Sequence, residues 1–86
     1  MKLFYKDDND KLRFVSNPNS INEALQDINV YIKELNPNFR IPYKRLGFEE
    51  DKICIDVGSW SEFFYITEFT EEDLKKFQEG EIDKWL

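Results

Sequence analysis

The sequence predicts an α+β domain with the element order ββαβββα and a mostly antiparallel sheet of about five strands. Residues 52–69 read as two strands joined by a short turn, of which the first alternates cleanly, and residues 20–35 have the apolar spacing of an amphipathic helix. Further short strand-like runs precede and follow that helix. Because 86 residues is the length of a single domain, we assign residues 1–86 to one α+β domain.

The first two predicted strands, residues 2–6 and 11–15, flank the polar run 7–10, DDND. This acidic run raises the hypothesis of a calcium loop. The spacing argues against it, because the turn glycine and the closing glutamate of such a loop are missing. Asp and Asn are also typical turn residues, since their side chains bond to the nearby backbone. We therefore predict a hairpin loop here.

The main predicted helix begins at Ser20, which forms a capping-box pattern with Glu23. Apolar residues then recur every three or four positions and define one buried face. They are Ile21, Leu25, Ile28, Ile32 and Leu35. Pro37 ends the helix, because proline disfavours helical backbone in the residue before it. We expect the helix, residues 20–35, to pack on one face of the sheet.

The third strand is predicted within residues 39–48, with irregularities. Ile41 has one parity whereas Leu46 and Phe48 have the other, so a bulge or kink is expected between them. Pro42 indicates the start of a strand or an edge position. The alternative is that most of this segment is loop.

The fourth and fifth strands form the predicted hairpin, whose turn is residues 58–61. Ile53, Ile55 and Val57 alternate with polar or small residues, as in a half-buried strand. Residues 63–66, FFYI, instead place large apolar groups on both faces. Such a strand is either covered on both sides or leaves an aromatic patch for a partner.

A short second helix is predicted for residues 71–79, with Thr70 as its cap and Gly80 at its end. Three acids in its first turn oppose the positive end of the helix dipole. They are Glu71, Glu72 and Asp73. This helix and Trp85 either share the face of the first helix or cover the opposite face, and the sequence leaves both arrangements open.

The net charge of −6 lies entirely in the C-terminal half. Residues 1–43 contain six acids and six bases, whereas residues 44–86 contain twelve acids and six bases. Direct nucleic-acid binding is not expected, because phosphate contacts need a basic stripe. The acidic half suits a partner protein with a basic surface, or it serves only to keep the protein soluble.

Several features indicate a cytoplasmic protein. No apolar run approaches the ~20 residues that cross a bilayer, so no membrane partner is expected. The first six residues lack the apolar core of a signal peptide. The single cysteine permits no internal disulfide, in agreement with a reducing compartment.

The sequence predicts no catalytic, metal or cofactor site. It contains no histidine, which removes the commonest general base and zinc ligand. Cys54 lies within a strand and is predicted to be a buried, inert thiol. Asp56 and Glu62 flank the hairpin turn, but a carboxylate pair needs a deep cleft that a domain of this size cannot easily form. We expect Asp56 to be solvated or paired with Lys44 or Arg45.

Protein binding is therefore the predicted role. Trp60 at the turn tip is the first candidate, followed by Tyr65 and Phe63 on the face opposite Phe64. Glu71, Glu72 and Asp73 are predicted to contribute charge at the rim. As alternatives, Trp60 folds back over the sheet, and Phe63 and Tyr65 form a second core layer under the C-terminal helix.

The leading hypothesis is a non-catalytic interaction module that binds another protein, or a second copy of itself as a homodimer. An acidic mimic of nucleic acid is the second hypothesis, although −6 matches only a short duplex, which carries one charge per ~1.7 Å. In size, acidity and aromatic content the chain resembles small accessory or inhibitor proteins of bacteriophages and mobile elements. That resemblance covers no specific motif and implies a host protein as target. Immunity proteins that neutralise toxins share this profile.

Overall fold

The computed structural model describes residues 1–41, 44–49, 51–58 and 62–80. Five antiparallel strands form one sheet in the order β2-β1-β5-β4-β3, and the predicted class and element order are confirmed. The strands are β1 Lys2–Lys6, β2 Leu12–Ser16, β3 Arg45–Phe48, β4 Lys52–Asp56 and β5 Phe63–Thr67. The helices are α1 Ile21–Leu35 and α2 Glu71–Gly80.

The loop between β1 and β2 is organised by the carboxylate of Asp7, which is only 5% exposed. Its Oδ1 accepts hydrogen bonds from the backbone N–H groups of Asn9 at 2.9 Å and Lys11 at 3.0 Å. Arg13 contacts its Oδ2 at 3.2 Å. The hydrogen bond from Lys11, together with that from Asn9 and the charge of Arg13, lowers the pKa of Asp7 below its ordinary value. This is the turn chemistry that the sequence predicts.

Helix α1 begins as predicted, with Ser20 Oγ accepting from the backbone N–H of Glu23 at 3.0 Å. Its buried face contains five residues. They are Ile21, Ala24, Leu25, Ile28 and Ile32. Leu35 was expected in this face, but it is 51% exposed because the helix ends there. The N–H of Asn36 donates to the carbonyl of Ile32 at 2.9 Å and closes the last turn.

The third strand is shorter than the range 39–48 that the sequence indicates. It begins at Arg45, because the residues after α1 are used to turn the chain. The N–H of Phe39 donates to the carbonyl of Asn36 at 3.0 Å, and Phe39 and Ile41 pack against the core from outside the sheet. The expected irregularity falls partly on residues 42–43, which lie outside the described ranges.

The core lies between the two helices and one face of the sheet. The sheet contributes six side chains that are at most 6% exposed, Leu3, Tyr5, Ile53, Ile55, Phe64 and Ile66. Phe77 of α2 is buried in the same cluster, and α2 contacts α1. Both helices therefore share one face, which decides between the two arrangements for α2, whereas Trp85 lies outside the described ranges. No helix in the described part of the chain is long and apolar enough to cross a membrane.

Candidate functional site: the open face of the sheet

The face of the sheet opposite the helices, here called the open face, has a row of register partners that crosses all five strands. Register partners share a face in an antiparallel sheet. Successive partners in this row, the central row, are Phe14, Phe4, Tyr65, Cys54 and Gly47. The central row thus begins with three aromatic rings from three adjacent strands.

The aromatic part of the central row is partly exposed in the described structure. The rings of Phe4 and Phe14 meet edge to face, with centroids 6.0 Å apart and an interplanar angle of 76°. Phe14 is 54% exposed, and Leu12 on the same edge strand is 59% exposed. Large apolar side chains therefore remain in contact with solvent at the β2 end of the open face.

Two flanking rows border the central row and carry most of the charge of the open face. One contains Lys2, Thr67 and Lys52, and the other contains Leu12, Lys6, Phe63, Asp56 and Arg45. Lys6 Nζ lies 5.2 Å from the centroid of the Phe63 ring, and Lys52 Nζ lies 4.9 Å from that of Tyr65. These cation–π contacts cover part of each ring, which explains why Phe63 and Tyr65 are half-buried rather than exposed.

Each of the three lysines on the open face is also paired with an acid that lies just beyond the end of a strand. The pairs are Lys2–Glu68 at 3.2 Å, Lys6–Asp10 at 2.7 Å and Lys52–Glu49 at 3.7 Å. The pKa of Lys6 is raised chiefly by its hydrogen bond with Asp10. Such surface pairs contribute little to stability, so a partner can replace them at small cost.

Cys54 lies in the central row and is half-buried, not enclosed in the core as the sequence suggested. Strand alternation places it on the open face, between Ile53 and Ile55, which point to the helices. Burial raises the pKa of its thiol, and a hydrogen bond with the side chain of Tyr65 partly opposes that rise. The thiol is therefore protonated, and a weak nucleophile, at neutral pH.

The structure places Tyr65 and Phe63 together on the open face. The alternative in which the C-terminal helix covers them is wrong, because α2 packs on the opposite side with Phe77 in the core. Trp60 lies outside the described residues, as does Trp85.

The three predicted acids of α2 lie away from the aromatic residues. Asp73 and Thr70 cap the helix reciprocally: the Thr70 N–H donates to Asp73 Oδ2 at 2.9 Å, and the Asp73 N–H to Thr70 Oγ1 at 3.1 Å. Glu72 pairs with Lys76 at 3.5 Å, and Glu71 is exposed. Because α2 packs on the helix side, lysines and not these acids border the aromatic row.

Sequence reasoning missed Phe4, Phe14 and the lysines of the open face. A signal was present in β1, where Lys2, Phe4 and Lys6 share one parity and alternate with the buried Leu3 and Tyr5. The pattern identifies an outward aromatic residue between two bases. It does not identify which strands lie beside it.

The carboxylates of Asp56 and Glu62 are not brought together. Asp56 lies on the open face opposite Arg45, and its Oδ1 accepts from the N–H of Gly58, whose φ is 88°. Glu62 lines a cavity of about 320 Å³ on the helix side and is hydrogen-bonded to Tyr5. Burial, with the charge and hydrogen bond of Glu62, raises the pKa of Tyr5 to about 12.

Metal ligands are likewise not grouped within the described ranges, where no set of three His, Cys, Asp or Glu residues is placed to hold an ion.

Comparison with protein-family models, with curated proteins and with solved structures found no match.

Proposed function

We propose that this protein is a non-catalytic interaction module that binds another protein through the open face of its sheet. The observation that carries the proposal is the aromatic row Phe14, Phe4 and Tyr65, which lies outside the core. Aromatic side chains supply large contact areas at protein interfaces and are frequent among the residues that dominate binding.

The charges on the open face indicate what kind of partner fits. Four bases and one acid, Asp56, lie in the flanking rows, and the three lysines among these bases each pair with an acid beyond the end of a strand. A partner that presents an apolar centre surrounded by carboxylates fits this arrangement by replacing those acids as partners of the lysines. The partner with a basic surface, proposed from the acidic C-terminal half, would instead contact the helix side near Glu71 and Glu72.

A homodimer formed through the open face alone is a weaker proposal. Face-to-face copies would bring the same bases close to one another, and such like-charge contacts are unfavourable. We therefore expect a different protein as partner.

The nucleic-acid mimic remains an alternative, supported only by overall acidity. Of its three named acids, Asp73 caps α2 and Glu72 pairs with Lys76, so both already have partners within the chain.

The resemblance to phage and mobile-element accessory proteins makes a host protein the first class of target to test. A toxin is the second, as expected for an immunity protein.

The test compares substitutions on the open face with a control substitution on α1. Phe14 on the open face is 54% exposed, and Val30 on α1 is 58% exposed. Phe14→Ser, and separately Tyr65→Ser, should weaken binding to a partner captured from the source cell by roughly 30-fold, as for an interface hot spot of about 2 kcal/mol. Val30→Ser should leave the affinity unchanged.

A different pattern of binding would contradict the proposal. If Phe14→Ser and Tyr65→Ser bind the partner normally, whereas the double variant Glu71→Gln/Glu72→Gln does not bind it, the open face is not the interface and the mimic is favoured. Binding by the mimic should also fall steeply with added salt.

A further inference from the structure

A second surface, on the helix side and away from the open face, combines a groove with a cluster of positive charge. The groove has a volume of about 450 Å³ and lies between the C-terminal half of α1 and the residues that follow it. Asn29, Ile32 and Lys33 of α1 form one wall, and Phe39, Arg40 and Lys44 contribute to the other. We call it the basic groove.

The charge of the basic groove is opposite to that of the protein as a whole. The chain contains 18 acids and 12 bases, yet none of the described residues that line the groove is acidic. Lys33 in the last turn of α1 also opposes the negative end of the helix dipole. Arg40 and Lys44 follow the helix, so the dipole does not account for them.

Lys44 lines the groove and is half-buried, and burial lowers the pKa of its ammonium group. A bound anion would reduce the mutual repulsion of the three bases.

We infer that the basic groove binds a small ligand that carries a phosphate group. The Arg40 guanidinium can donate two parallel hydrogen bonds to phosphate oxygens, and the lysines supply further charge. Ile32 and Phe39 provide an apolar floor for the remainder of the ligand, with Phe39 suited to stacking on a planar ring. A nucleoside monophosphate has this combination, and the volume is within the range of small-molecule sites.

Amide NMR titration of the whole protein with inorganic phosphate, with AMP and with an acidic glutamate peptide tests the inference. Saturable shifts should appear at Asn29, Phe39, Arg40 and Lys44, and AMP should bind more tightly than phosphate because of the apolar floor. Arg40→Gln and Lys44→Gln should each weaken AMP binding roughly tenfold. Lys75→Gln, at an exposed lysine of α2, is the matched control and should bind AMP normally.

Two results would overturn the inference. One is a shift that grows linearly with AMP and phosphate and is the same in Arg40→Gln as in the unsubstituted protein. The other is tighter binding of the glutamate peptide than of AMP, which would make the groove a docking site for an acidic protein segment. Because Arg40 is exposed, its substitution should not impair folding.

Discussion

Phe4 and Tyr65 are direct partners across the β1–β5 pair, and both point away from the helices. The next residue back along β5, Phe64, points to the opposite face and is completely buried. One strand thus supplies the centre of the core and the centre of the open face through consecutive residues. This relationship allows stability and binding to be separated by substitutions at neighbouring positions.

The first prediction compares Phe64→Ala with Phe63→Ala. The first substitution removes a fully buried ring and should lower the free energy of unfolding by about 3–5 kcal/mol, a large part of the total for a small domain. The second removes a half-buried ring in contact with Lys6 and should cost about 1 kcal/mol. Urea denaturation measures both, and equal losses would show that Phe63 belongs to the core.

The elements specified by neighbouring residues could be predicted from the sequence. The α1 pattern and its Ser20 cap depend on contacts within a few residues. The alternation of β4 likewise predicts its buried Ile53 and Ile55. In each case the burial and capping that produce the structure are visible in one short segment.

The arrangement of the open face could not be predicted, because it depends on pairing between distant segments. Phe4 and Tyr65 come from opposite ends of the chain, and only the β1–β5 register makes them neighbours. The same pairing places Lys2 and Lys6 beside the aromatic row. The side of the sheet that α2 covers also depended on a distant contact, that of Phe77 with the core.

The second prediction concerns the cap of α2. Thr70→Ala should lower the free energy of unfolding by about 1 kcal/mol, because it removes the hydroxyl that accepts from the Asp73 N–H. Asp73→Ala should have a similar effect through the Thr70 N–H. Glu71→Gln, at an exposed position, should change stability by less than about 0.5 kcal/mol. Thermal denaturation compares the three, and an unaffected Asp73→Ala would argue that the cap contributes nothing.

The third prediction concerns the acid sensitivity of Asp7. Its pKa in the folded protein is below that in the unfolded chain, about 3.9. Its contribution to stability is therefore complete above the unfolded value and is lost as the pH falls through the folded value. Asp7→Asn should unfold at lower urea concentration than the unsubstituted protein at pH 7, and the difference should shrink in acid. Asp8→Asn, at the exposed neighbouring position, is the control. It should unfold at the same urea concentration as the unsubstituted protein, both at pH 7 and in acid.

The fourth prediction uses Cys54 as a reporter of the open face. Because burial raises the pKa of its thiol, alkylation of the folded protein near pH 7 should be slower than that of the urea-unfolded protein. The rate should rise with pH, with a midpoint above the ordinary thiol value of about 8.5. Tyr65→Phe should slow alkylation further at neutral pH, since the hydroxyl that lowers the thiol pKa is lost.

A protein bound to the central row should block alkylation, whereas AMP in the basic groove should leave the rate unchanged. Protection by AMP but not by the protein partner would contradict the assignment of the two surfaces.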